Sequence, residues 1–269
     1  MKKMKCMLVA MILLFVATPV MAEDFPLRAK YPNVKPISID KLAAEYDNTI
    51  VIDVRSKMEY DVIHVAKAKH ALVTKGNFLA ELEKIRAKND AANIAFYCNG
   101  HTCAKSYKAS VKAMDAGFKN IYCFDAGIFE WVDAYPERGA LLGQTPADKS
   151  KLIAKADLNG KKLSWNDFSA GASAGNAMVI DTRDPFQRAK GSDLPQNKAV
   201  NLKGVRNIPM DRLVGLLKKG EFKNKNLMIF DAVGKQIRWL QYYLEDYGYS
   251  NYAFLNKGVL AAADAGAVK

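Results

Sequence analysis

The sequence predicts an α/β fold arranged as two tandem domains, each a central, mainly parallel sheet flanked by helices. Short apolar runs alternate with amphipathic, Lys-rich stretches along the chain, and the whole alternation occurs twice with the same punctuation. Buried strands that alternate with helices are the mark of parallel βα units. With 269 residues and 50% apolar content, there is material for two cores of ordinary domain size.

Residues 1–22 stand apart from that pattern. Lys2, Lys3 and Lys5 make a basic start, Met7 to Ala17 is an uncharged apolar run, and Val20-Met21-Ala22 is a small-residue cleavage signature ahead of Glu23 and Asp24. The run is short for a bilayer span, so residues 1–22 are expected to be a secretory signal peptide and the mature protein periplasmic. The remainder divides into a first domain over 23–140, a linker over 141–165 that lacks the strand–helix grammar, and a second domain over 166–269.

Within the first domain, Thr49 to Arg55 reads as a buried strand ending in an acid and a base, Asn77 to Lys88 as an amphipathic helix, and Asn93 to Cys98 as a second strand. A helix over Ala104–Ala116 and an aromatic-rich turn and strand over Gly117–Cys123 follow, with Gly127 beyond. The second domain repeats this series: Ala177 to Arg183, 128 positions after the first copy, then Asp211 to Lys219, Asn226 to Asp231, Lys235 to Tyr247 and Gly248 to Phe254, with Gly258 beyond.

The formal charge of +12 falls to about +9 once Lys2, Lys3 and Lys5 are removed, and the remaining lysines are dispersed. Such a surface favours small anions, and no motif points to nucleic acid. After signal cleavage no segment predicts membrane association. Three cysteines remain, Cys98, Cys103 and Cys123, an odd count for an oxidising compartment that argues for a reactive or buried thiol rather than a disulfide scaffold.

Cys98 carries the strongest functional signal. An apolar run ends on it, a polar turn with Gly100 follows, and a helical pattern opens near Ala104. That order places a sulfur over unpaired amides at a helix N-terminus, which stabilises a thiolate and binds anions. A merely buried thiol is the competing reading. Cys103 is open between a disulfide with Cys98, resolution of a persulfide with release of sulfide, and simple packing. Cys98, His101 and Cys103 lie in one tight loop without a matching ligand set elsewhere, so no metal is expected, and no cofactor. Asp53 with Arg55, and Asp181 with Arg183, read as structural pairs at strand ends.

Both halves resemble rhodanese domains, and the chain is similar to a tandem-rhodanese sulfurtransferase. Ile52-Asp53-Val54-Arg55 with Glu59-Tyr60 matches the family's Asp-x-Arg…Glu-Tyr signature, and Asp125-Ala126-Gly127 through Trp131 its closing Gly-Gly-x-x-x-Trp segment, with Ala126 replacing a glycine. In the second half, Ile180 to Arg183 and Asn201-Leu-Lys-Gly-Val-Arg-Asn-Ile-Pro209 match as well. The resemblance implies that Cys98 is the nucleophile, and that Asp231 occupies the equivalent place in a second copy without catalytic cysteine. Asp231, like Glu59, is then structural. It also implies a substrate-binding loop formed by Asn99, Gly100, His101, Thr102, Cys103 and Lys105. Cys98 would take sulfane sulfur from thiosulfate or a similar anionic donor and pass it to a thiol or cyanide, with Lys105 and His101 holding the donor's oxyanion. The loop has the length of the family's phosphatase branch but lacks its arginine, which favours sulfur transfer. A thiol–disulfide oxidoreductase or redox sensor using Cys98 and Cys103, and a non-catalytic binding module, are the alternatives.

Overall fold

A computed structural model describes residues 25–86, 91–188 and 193–269; the expected leader over 1–22 lies outside them. The first half contains α1 (Ile39–Ala44), β1 (Thr49–Asp53), α2 (Lys57–Val62), β2 (Ile63–Val65), β3 (Lys69–His70), α3 (Phe78–Arg86), β4 (Asn93–Tyr97), α4 (Lys105–Asp115), β5 (Ile121–Phe124), α5 (Gly127–Ala134) and β6 (Gly139–Leu141). Then come α6 (Lys155–Gly160), β7 (Lys162–Leu163), α7 (Trp165–Ser173), β8 (Ala177–Asp181), β9 (Arg206–Asn207), α8 (Met210–Lys218), β10 (Asn226–Phe230), α9 (Ile237–Asp246), β11 (Tyr252–Leu255) and α10 (Val259–Asp264). Among the described residues, no helix is long and apolar enough to cross a membrane.

Two parallel sheets flanked by helices form the α/β architecture. The first has strand order β3-β1-β4-β5 and the second β7-β11-β10-β8-β9. All pairings inside these sheets are parallel, which buries both faces and explains the unbroken apolar runs of β4 and β10. β2 and β6 form a separate antiparallel ribbon. The registers of the two sheets correspond: Asp53 lies opposite Tyr97, the residue before Cys98, and Asp181 opposite Phe230, the residue before Asp231.

The stretch expected as linker, 141–165, holds more structure than its sequence announces. β7 lies within it and joins the second sheet as an edge strand beside β11. Pro36 makes the corresponding parallel bridge to Cys123 at the edge of the first sheet. Both pieces are too short to show a period, so only the neighbouring strand defines them.

Side-chain alternation sends successive strand residues into different cores. On one face of the first sheet Ile52, Ile94 and Phe96 meet Phe78 and Leu82 of α3 and Ala109 and Ala113 of α4. On the other face Val51 and Ala95 enter a core with Leu42, Val62 and Trp131, which continues into the second half through Leu213, Leu217, Ile237, Leu240 and Phe254. The halves therefore meet through unlike surfaces: the α1, α2 and α5 side of the first packs on the α8 and α9 side of the second.

Candidate active site

Cys98 is the first residue past β4 and emerges at the C-terminal edge of the first sheet, the end where open α/β sheets commonly build sites. Two backbone bonds shape the loop that follows. The Cys103 amide donates to the Gly100 carbonyl at 2.9 Å, and the Ile128 amide donates to the Cys98 carbonyl at 3.1 Å. The second bond presses the start of α5 against the loop. Gly127 sits there at φ +78°, and a β-carbon at that position would lie 2.6 Å from the Gly100 Cα. Glycine is required for both reasons.

A disulfide joins Cys98 and Cys103, with Cα atoms 6.1 Å apart. Cys98 is 1% exposed and packs with Ile52, Val54 and Phe96, whereas Cys103 is half-buried at the edge of that cluster. The sequence-based expectation of an open thiolate is therefore corrected for this form of the protein. The turn from Gly100 to Cys103 brings the second sulfur within ordinary bridging range, and that sulfur then covers the first. No protein acceptor among the described residues takes the amides of Ala104 or Lys105 where α4 opens.

Beneath the loop lies a polar network. Arg55, fully buried, forks onto Asp53 at 2.6 Å, donates to the Ile63 carbonyl, and reaches Asn99 Oδ1 at 2.9 Å. Asn99 in turn donates to Glu59 at 2.8 Å. Glu59 closes a capping box with Ser56 at the start of α2. Burial pushes the Glu59 carboxyl up, but Lys105, Asn99, the Ser56 amide and Arg55 together hold it below the usual carboxylate range. Desolvation likewise works against the Arg55 charge, and Asp53 more than restores it.

Two side chains expected to grip an oxyanion are engaged otherwise. Lys105 Nζ lies 3.5 Å from Glu59 Oε2. His101 Nε2 is 2.5 Å from Glu130 Oε1, off the hydrogen-bond line, and its ring stacks on Phe25 at 4.1 Å. Thr102 is exposed and Asn99 and Gly100 are half-buried, so the loop presents Thr102 as its outermost point.

The second half shows what the same position holds when it is a carboxylate. Asp231 accepts the Val233 amide at 2.9 Å, the Gln236 amide at 2.6 Å and the Gly234 amide. Burial raises its carboxyl above the ordinary value, with these amides working in the opposite direction. The Val259 amide donates to the Asp231 carbonyl, matching Ile128 on Cys98, and Gly258 crowds Asp231 as Gly127 crowds the first loop. Asp181 and Arg183 form the same fork as Asp53 and Arg55, at 2.7 Å. A cleft of about 350 Å³ opens beside this second loop, roofed by Ser56, Lys57 and Met58 of the first half.

Residues 38–134 match the family described as rhodanese-like domain. That rhodanese-like stretch contains the whole Cys98 loop. Over 95 residues, 34% of this chain, the sequence is 32% identical to a tRNA uridine(34) hydroxylase of Photorhabdus laumondii, and the match spans about a quarter (26%) of that relative's length. A crystal structure of thiosulfate sulfurtransferase from Pseudomonas aeruginosa aligns over 88% of this chain and 43% of its own, with 17% identity and a TM-score of 0.41. A Bacillus halodurans protein aligns over 48% of this chain and 91% of its own, with 22% identity and a TM-score of 0.36.

Several contributors were not expected as parts of the site. Arg28 pairs at 2.8 Å with buried Asp125, which also accepts from Tyr107 at 2.5 Å, and so ties the segment carrying Phe25 over the loop. From the second half, Trp239 stacks on Phe129 and lies over Arg55, and the Arg238 guanidinium lies over the Phe129 ring at 4.2 Å. These contacts join residues distant in sequence, and no local pattern encodes them.

Proposed function

We propose that this chain is a periplasmic sulfurtransferase of rhodanese type, built as two rhodanese-like copies of which the first is catalytic. In the dithiol form, Cys98 attacks the outer sulfur of thiosulfate or a similar anionic donor. The sulfur–sulfur bond of the donor breaks, sulfite leaves with the electron pair, and Cys98 becomes a persulfide. A thiol or cyanide then takes the sulfane sulfur. The observation that carries the reading is the correspondence of Cys98 with Asp231. The same strand end and the same glycine-crowded loop direct main-chain amides at an acidic group in the second copy, and Cys98 heads that loop in the first. With thiosulfate, the reduced full chain is expected to gain the mass of one sulfur on Cys98 or to release that sulfur as sulfide. Cys98→Ser is expected to do neither, and an unchanged response of that variant overturns the reading.

A second reading, thiol–disulfide oxidoreductase or redox sensor, is favoured by the Cys98–Cys103 bridge and the burial of Cys98. Cys103→Ser separates the two: sulfur loading of Cys98 survives under the first, and all activity is lost under the second.

A further inference from the structure

We propose that Cys103 closes the sulfur-transfer cycle from inside the protein, releasing hydrogen sulfide, and that the resulting disulfide is reopened by an external dithiol attacking Cys103. This rests on the reading that Cys98 accepts sulfane sulfur.

The arrangement of the two sulfurs carries the inference. A persulfide on Cys98 sits at the edge of the Ile52–Val54–Phe96 core, where Cys98 is 1% exposed. A thiol acceptor from solution needs an approach past the sulfur of Cys103, which covers Cys98 in the bridged form. Cys103 needs none, because the Gly100 turn holds its Cα 6.1 Å from that of Cys98, and intramolecular partners react at high effective concentration. Its place in the chain lets it act: it precedes α4, and its amide is held by a single turn bond to Gly100, so it moves without unwinding the helix. Cys123 cannot substitute, being fully buried beside Val34 and Tyr107 in a different cluster.

The step balances. The Cys103 thiolate attacks the Cys98 sulfur bonded to carbon, the bond to the sulfane sulfur breaks, and that sulfur leaves with the electron pair as hydrosulfide. The product is the Cys98–Cys103 disulfide seen in the structure. Regeneration needs two electrons and two protons from a dithiol. Of the two bridged sulfurs, Cys103 is the one a dithiol can reach, and Cys98, at the strand end that heads the loop leading into α4, is proposed as the better leaving thiolate. Access and leaving-group stability select the same sulfur.

The test uses the reduced full chain, freed of reductant and given thiosulfate as sole donor without acceptor. Wild type is expected to release one sulfide per chain and end two hydrogens lighter than the dithiol, with a Cys98–Cys103 peptide bridge. Cys103→Ser, with Cys103→Ala as the alternative if the serine variant misfolds, is expected to keep an additional sulfur on Cys98 and release no sulfide. Sulfide release by these variants, or a wild type that retains the extra sulfur on either cysteine, overturns the inference while leaving sulfur transfer standing. If neither protein gains sulfur or releases sulfide, the sulfur-transfer reading itself fails. In a second arm, glutathione is mixed with the oxidised chain and quenched with acid. A mixed disulfide on Cys103 is expected, and one on Cys98 overturns the proposed order of attack.

Discussion

At the scale of single residues, the three cysteines among the described residues occupy three chemical environments. Cys123 is buried in β5, and desolvation pushes its thiol up to about 12. Cys98 is a buried half of a bridge and Cys103 its outer half. Iodoacetamide is therefore expected to label none of the three in the oxidised native protein. After reduction, label should appear at Cys103 before Cys98, with Cys123 unlabelled until unfolding; peptide mass analysis reads the order. Prompt native labelling of Cys123 contradicts the environment derived for it. Cys98→Ser is expected to lower sulfur-transfer rate by more than about a thousandfold, since the variant removes the proposed nucleophile. Asp231 makes a different kind of prediction. Replacing it by Ala strips the acceptor from three half-buried amides and is expected to cost about 1–3 kcal/mol in denaturant unfolding.

At the scale of elements, the loop after β4 is held by its own disulfide and turn bond and also by side chains from the segment after β1 and from α2. Arg55 reaches it from beneath and Glu59 from the side. Arg55→Ala leaves Asp53 buried and unpaired, and is expected to destabilise the protein by about 3–5 kcal/mol, measured by urea unfolding. Glu59 sets the acid response. Its folded carboxyl lies below the ordinary value, so its contribution to stability is present above the unfolded carboxylate range and is lost as pH falls through the folded value. Asp231 has the opposite sign: its raised carboxyl favours the fold at low pH, and that contribution fades as pH rises through the folded value. Glu59→Gln is expected to flatten the acid limb of the stability profile, and a profile unchanged in steepness argues against the Glu59 network. Element identity was largely legible beforehand, because β4, α4, β10 and α9 each carry a complete apolar period and fall within about two residues of their expected bounds. β7 was not, because two residues at a sheet edge carry no period.

At the scale of the whole molecule, one apolar core runs from Leu42 and Trp131 of the first half to Leu240 and Phe254 of the second. The stack of Phe129 on Trp239 lies on that seam, with Arg55 beneath the Trp239 ring. The halves are thus expected to unfold together in one calorimetric transition, and Trp239→Ala to cost about 3–5 kcal/mol and to split that transition in two. A wild type that already unfolds in two separated steps shows that the shared core does not couple the halves.

Sequence by itself determined the alternation of strands and helices, its repetition, and the placing of Cys98 and Asp231 at equivalent strand ends. These follow from local periods and turn residues, which act over a few positions of chain. Only the tertiary structure decided that Cys103 bonds to Cys98, that Lys105 and His101 turn to Glu59 and Glu130, and that α9 of the second half packs over the first. Each of these depends on which surfaces meet once both sheets are closed, and on a glycine turn whose direction is set by α5 pressing on it. Distances across a fold are fixed by packing, and packing is a property of no single segment.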